Sequence, residues 1–262
     1  MKQPNKDSFW LLSLGVGVLL IAGGLGLYFL QRDEAPPAQP VAAVPTPAES
    51  TAPPFSAPTA TPPPSIRTLP LPPLDQSDAD IQGGLTELFG PGALGQFLIP
   101  ERIVRNIVVT IDNAPRQQMA LNQRPIQQTP GEFMTLGPEE AIFLAPENYD
   151  RYAPFIGVVR AMDAKTLVSL YRGMQPLFQQ AYEELGHPNG LFNTRLLEVI
   201  EHLLAAPDAP AEIALVQPSV LYRYADERLE KLSAGQKLLL RMGPENAAVI
   251  KGKLREIKAE LT

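Results

Sequence analysis

Residues 163–186 read DAKTLVSLYRGMQPLFQQAYEELG. Leu167, Leu170, Tyr171, Met174, Leu177, Phe178, Ala181, Tyr182 and Leu185 recur at steps of three, four or one, which lays them along one face of an α-helix. Asp163 is placed to cap the start, since its carboxylate can accept from a first-turn N–H, and Gly186 is placed to stop the end. Pro176 stands inside the run and cannot donate to the carbonyl of Arg172, so a bend is expected there. Such a bend either wraps the helix round its core or opens a ligand groove, for which Tyr171, Pro176 and Tyr182 are the candidates. One strong amphipath makes a helical domain the starting expectation.

Toward the C-terminus the same period continues. Asn193 is placed to cap a helix with Leu196, Leu197, Ile200, Leu203 and Leu204 inward, ended by Pro207. Ile213 to Val216 is a short apolar run and a possible strand, followed by a turn at Gln217 and Pro218 and by Val220 to Tyr224. A short helix is expected from Asp226. Ser233 and Gln236 have capping-box spacing, and Gly243 with Pro244 marks a stop followed at once by a start. The last helix buries Ala247, Ile250, Leu254, Ile257 and Leu261 and exposes its lysines.

Toward the N-terminus, Asn148 to Arg160 suggests one or two short helices broken near Pro154. Phe133 to Leu136 and Ala141 to Leu144 flank a Gly-Pro turn and read as a hairpin that must pack on helices. Ala114 to Gly131 reads as loop. Ile103, Val104, Ile107, Val108 and Ile111 form another helical stripe, with Pro100 suited to its first turn, although β-branching leaves a strand possible. Ser77 can cap a helix toward Phe89, through Ile81, Leu85 and Leu88, and Asp75, Asp78 and Asp80 read as acidic capping residues rather than metal ligands. The fold class expected is mainly α: a multi-helix globular domain over 75–262 with one short β-hairpin.

Ahead of that domain the composition changes twice. Residues 35–74 hold 14 prolines in 40 residues. Such a segment is expected to stay disordered and extended, a spacer reaching up to about 120 Å. Its dense runs, Pro62 to Pro64 and Pro70 to Pro73, could also serve a proline-binding partner. Phe9 to Leu30, FWLLSLGVGVLLIAGGLGLYFL, is free of charge over 22 residues and long enough to span a bilayer. Phe9, Trp10, Tyr28 and Phe29 stand at its ends, where amphipathic rings favour the headgroup layer. Lys2 and Lys6 precede it, and Arg32 follows beside Asp33 and Glu34. The organisation expected is a cytoplasmic N-terminus over 1–8, a single transmembrane signal anchor over 9–30, a proline-rich linker over 31–74, and the domain in the periplasm. Ala22 and Gly26 are a small-xxx-small pair, so weak self-association through this helix is a possibility.

Charge and composition narrow the function. Residues 75–262 carry 18 Lys and Arg against 24 Asp and Glu, so a basic footprint for nucleic acid is absent. With no cysteine there is no disulfide frame and no thiolate metal site. His187 follows the Gly186 stop. His202 lies in EVIEH, where Glu198 occupies the position a zinc-peptidase helix gives to its first histidine, so a surface histidine is expected. No nucleophile elbow and no phosphate loop occurs, and no cofactor pattern is present. The carboxylate pairs Glu183 with Glu184 and Glu198 with Glu201 leave a hydrolase as a weak second alternative. Tyr149, Arg151, Tyr152, Tyr222, Arg223, Tyr224, Arg241, Glu245 and Asn246 stand outside the regular stripes. Tyrosine and arginine dominate binding hot spots and also cover core edges, so these residues are interaction candidates with a structural alternative.

Three stretches carry a resemblance: LPPLDQSDADI at 71–81, RYAPFIGVVRAMDAKTLVSLYRGMQPLFQQAYEELGHPNGLFNTRLLEVIEHLLAAP at 151–207, and IALVQPSVLYRYADERLEKLSAGQKLLLRMGPENAAVIKGKLREIKAEL at 213–261. They resemble the bacterial family named domain of unknown function 3014. The resemblance implies a Gram-negative envelope protein with an N-terminal anchor, a spacer and this domain, and it brings no activity or catalytic residue. The expected function is a membrane-anchored, non-enzymatic module that binds an envelope protein at the inner membrane; the alternative is capture of a small molecule or cell-wall fragment.

Overall fold

The computed structural model describes residues 71–83, 86, 97–118, 123–127, 129, 131–138, 140–218 and 222–262. The anchor Phe9 to Leu30, the linker up to residue 70 and the stretch Leu88 to Phe89 lie outside them. Among the described residues no helix is long and apolar enough to cross a membrane. The domain is mainly helical: α1 (Ile103–Asn113), α2 (Glu147–Asp150), α3 (Ala153–Ala161), α4 (Ala164–Glu184), α5 (Phe192–Leu204), α6 (Glu227–Glu230), α7 (Ala234–Arg241) and α8 (Pro244–Leu261).

α1 is the central element. Its buried side chains include Ile103, Val104, Ile107, Val108 and Ile111 and extend to Asn106, Thr110 and Asp112. A helix covered on nearly every side belongs inside a domain. The β-branched run is helix and not strand. α4 and α5 pack on α1, and α8 packs across α3, α4, α5 and α7. The aromatic rings of α4 meet Phe192 at the start of α5, with Phe178 stacked on it at 5.6 Å and Tyr171 edge-on to Phe178 at 5.4 Å.

Most helix ends follow the residues marked for them. Asp163 accepts from Thr166 N at 2.8 Å, and hydrogen bonds from Thr166 hold its carboxyl below the usual range. At the other end Gly186, at φ +114, lets its own N–H reach Glu183 O and the His187 N–H reach Tyr182 O, the paired closure of a Schellman turn. Ser233 and Gln236 form the reciprocal capping box, and Asp226 caps α6. Gly243, at φ +84, precedes Pro244 at the first turn of α8.

Other ends are capped from a distance. α5 begins at Phe192 with no side-chain cap from its own neighbours, and Asn193 sits inside the helix. Instead Gln179 of α4 accepts from Phe192 N at 2.9 Å and donates to Gly190 O at 2.8 Å. Ser77 does not cap the helical residues 78–83; its hydroxyl turns back to Leu74 O. Asp78 does cap, but across 25 residues: it accepts from Arg102 N at 2.6 Å and Ile103 N at 2.8 Å, where α1 has no local cap. Asp75 pairs with Arg105 at 2.9 Å.

The hairpin is one half of a larger sheet. β1 (Thr135–Leu136), β2 (Ile142–Leu144), β3 (Ala214–Val216) and β4 (Arg223–Tyr224) lie in that order, all antiparallel. β2 pairs with β3 across some seventy residues of helix, so the single hairpin expected is corrected to four strands. Three-residue strands gain little alone, and joining two hairpins supplies the face they need. Two of the α8 lysines, Lys251 and Lys253, are also not solvent-facing as expected, while Lys258 stays partly exposed. Lys253 is buried and donates to Met162 O at 2.6 Å, Lys251 donates to Ala206 O at 2.7 Å, and Lys258 pairs with Glu201 at 2.8 Å.

Candidate functional site

The sheet has two faces. Residues directly opposite in an antiparallel pair share a face, and neighbours in sequence alternate. Thr135, Ile142, Leu144, Leu215 and Tyr224 therefore point inward, where Leu144, Leu215 and Tyr224 pack with Ile213 and Leu240 in a core of their own. Leu136, Phe143, Ala214, Val216 and Arg223 make the outer face.

The inner face closes over Arg241, the last residue of α7. Its guanidinium carbon lies 5.6 Å from the Tyr224 ring centre and 6.0 Å from that of Phe133. Phe133 in turn meets Tyr222 at 5.6 Å. Tyr152 is buried next to this group, and burial raises its hydroxyl well above the ordinary value, with Arg241 and Arg151 offsetting only part. Burial likewise raises Tyr224, against the pull of Arg241 beside it, and Tyr224 donates to Lys237 O at 3.1 Å. Both phenols thus stay protonated at neutral pH. Arg105, Arg195, Lys237, Lys251 and Lys253 are largely covered and each holds a carboxylate. Arg241 is also partly covered, yet no carboxylate among the described residues comes within ion-pair reach of it.

The remaining sequence-marked residues divide. Tyr149 lies against Gly243, and its carbonyl accepts from Asn246 at 3.1 Å. Arg151 clamps the entry to the hairpin, donating to Gly131 O at 3.0 Å and Asn148 Oδ1 at 3.2 Å. Glu245 is exposed in the first turn of α8, where a negative charge complements the helix dipole. Arg223 is not part of the Arg241 group. It lies exposed on the outer face, opposite Val216. Phe133, a wall of the site, escaped the sequence reading because one phenylalanine before a short strand looks like core.

Of the groove candidates, Tyr171 and Tyr182 are core residues, and burial pushes the Tyr171 hydroxyl up to about 12. α4 runs on through Pro176, whose ring is on the exposed side. A cavity of about 210 Å³ lies away from them, lined by Leu74, Asp75, Asp78, Arg102, Val104 and Arg105. The paired glutamates are taken up by neighbours: Glu184 by Arg105, Glu183 by Gln179, Glu198 by Arg195 and Glu201 by Lys258.

A second polar cluster was not visible in sequence. Asp112 is buried on α1, bonded to Arg116 and, at 3.0 Å, to Arg195, with His187 Nε2 at 3.6 Å and stacked on Tyr182. His202 is half-buried rather than on the surface. Its Nε2 meets Ser233 Oγ at 2.8 Å. Ser233 is buried and its oxygen also accepts from Gln236 N, so this pair seats the start of α7.

The class defined here is a helical domain with a small antiparallel sheet and a cation set among aromatic rings. The chain belongs to the family described as Protein of unknown function (DUF3014), whose model matches residues 103–258, from the start of α1 to the last turn of α8. No curated protein and no solved structure matches the chain.

Proposed function

We propose that this protein is a non-enzymatic interaction module of the bacterial envelope, anchored in the inner membrane by Phe9 to Leu30 and held off it by the proline-rich linker. The domain then faces the periplasm and binds another envelope protein through the outer face of its sheet. One observation carries the reading. Met134, Leu136 and Val216 are 40 %, 47 % and 45 % exposed, and with Phe143 and Ala214 they form a continuous apolar strip ending at the exposed Arg223. Exposed apolar surface gathered in one place, with a cation at its border, marks a contact surface more than scattered single residues do. The partner that fits presents apolar side chains and an acidic group placed for Arg223.

A photocrosslinking residue at Val216 in intact cells should give a reproducible adduct, and Arg223→Glu should remove it. An adduct indifferent to that reversal, or none at all, removes the surface assignment. Orientation has its own measurement: protease added to spheroplasts cuts the linker if the domain is periplasmic, and full protection reverses the topology.

A further inference from the structure

We infer that Arg241, set among Phe133, Tyr224 and Tyr152 beneath the sheet, is a binding site for a carboxylate carried on a flat or apolar body. The inference rests on the interaction-module reading only for the natural source of that carboxylate; the chemistry of the site stands apart from it.

The argument is one of unmatched charge. A guanidinium withdrawn from water is costly unless an anion or several acceptors replace the lost hydration. The rings at 5.6 and 6.0 Å supply part of that through their π faces. They supply no negative charge, and the phenols of Tyr152 and Tyr224, kept protonated by burial, do not either. The ion pair that satisfies Lys237 one turn earlier ends on Glu230. Arg241 is therefore a partly covered cation that hydrogen-bonds the Tyr224 hydroxyl and has no fixed carboxylate among the described residues.

The surroundings select the ligand. A single guanidinium matches one carboxylate by two parallel hydrogen bonds and by charge, whereas a phosphate dianion carries a second charge that one arginine leaves unmatched. Aromatic walls add contact with a flat or apolar neighbour of that carboxylate. The site is close to rigid elements on each side, because Arg151 fixes the chain entering β1 and Glu230 accepts from Tyr224 N at 3.0 Å. A carboxylate of this kind comes either from an acidic side chain of a polypeptide next to an apolar residue, or from a small free acid.

Nuclear magnetic resonance titration of the full-length protein in detergent micelles with benzoate, with N-acetyl-Phe-Asp-amide, with neutral benzamide and with inorganic phosphate tests this. Saturable shifts of the Phe133 and Tyr224 ring signals are expected with benzoate or the dipeptide, and not with benzamide or phosphate. Preference for the dipeptide assigns the carboxylate to a polypeptide, and preference for benzoate assigns it to a small acid. Arg241→Gln should weaken binding about tenfold or more, as loss of a charge-assisted bond does. Arg241→Lys keeps the charge and the stem, so it serves if the glutamine variant fails to fold, and it should bind more weakly than wild type. Absence of saturable shifts, or equal binding by either folded variant, overturns the site. If benzoate and the dipeptide both fail while the Val216 crosslinks persist, the carboxylate site falls and the interaction reading stands. Saturable binding without any crosslinked protein keeps the site and removes the interaction reading, and the source of the carboxylate is then assigned by the preference between dipeptide and benzoate alone.

Discussion

Replacing Asp112 by Asn keeps the shape of the side chain and removes its charge. Arg195 and Arg116 then lose the anion they share, and Asp112 is only 4 % exposed, so little water can take its place. The expected loss is about 2 kcal/mol in urea denaturation, below the value for a wholly buried pair because both arginines reach solvent. Arg116→Ala should cost less than about 1 kcal/mol, since that partner is 57 % exposed. His202 gives a pH dependence of defined sign. Burial, then Arg195, lowers its folded value below the ordinary 6.5. The unfolded chain therefore takes up the proton first as pH falls. Its contribution is complete above 6.5 and is lost as pH drops through the folded value. Denaturation from neutral pH down to about 5 should show wild type losing stability relative to His202→Gln, and parallel curves would reject it.

At the scale of the element, the sequence could be read wherever a residue acts on its own helix. Asp163, Gly186, Ser233 with Gln236, and Gly243 with Pro244 all work within a few residues, so their spacing is enough. The reading failed where the partner comes from elsewhere in the chain. Asn193 looked like the cap of α5, but that role belongs to Gln179, and no local pattern distinguishes a glutamine that reaches across to another helix. Gln179→Ala should accordingly destabilise by about 1 kcal/mol, the usual cost of a lost cap. Asn193→Ala should cost less, since its side-chain hydrogen bond among the described residues, from the Tyr171 hydroxyl, is 3.4 Å long. Equal effects would return the cap to Asn193. Gly243→Ala tests the break before α8. Its positive φ strains any side chain, and a Cβ there would stand 2.6 Å from the Tyr149 ring. A loss of about 2 kcal/mol or more is expected, with Tyr149→Ala relieving the contact but not the backbone strain.

For the whole molecule, the helical class was legible because stripes at steps of three and four recur from α1 to α8. The four-stranded sheet was not, because β2 and β3 are short and are joined by the entire α2 to α5 segment. Only the folded chain shows that Leu136, Phe143, Ala214 and Val216 share one side, and that Arg223 belongs with them and not with Arg241. This division makes the two functions of a surface residue separable. A side chain that holds the fold cannot be replaced by a charge without loss of stability, whereas one that waits for a partner can. Leu136→Lys and Val216→Glu place charges on the open face and should change stability by no more than about 0.5 kcal/mol. The same pair should suppress crosslinking to the envelope partner, read from a photoreactive residue at Phe143. Leu215→Glu, one position away on the inward side, should instead unfold the sheet, because it buries an unpaired charge. If the outer pair were as damaging as the inner change, the strip would be core packing and the contact surface would have to be sought elsewhere on the domain.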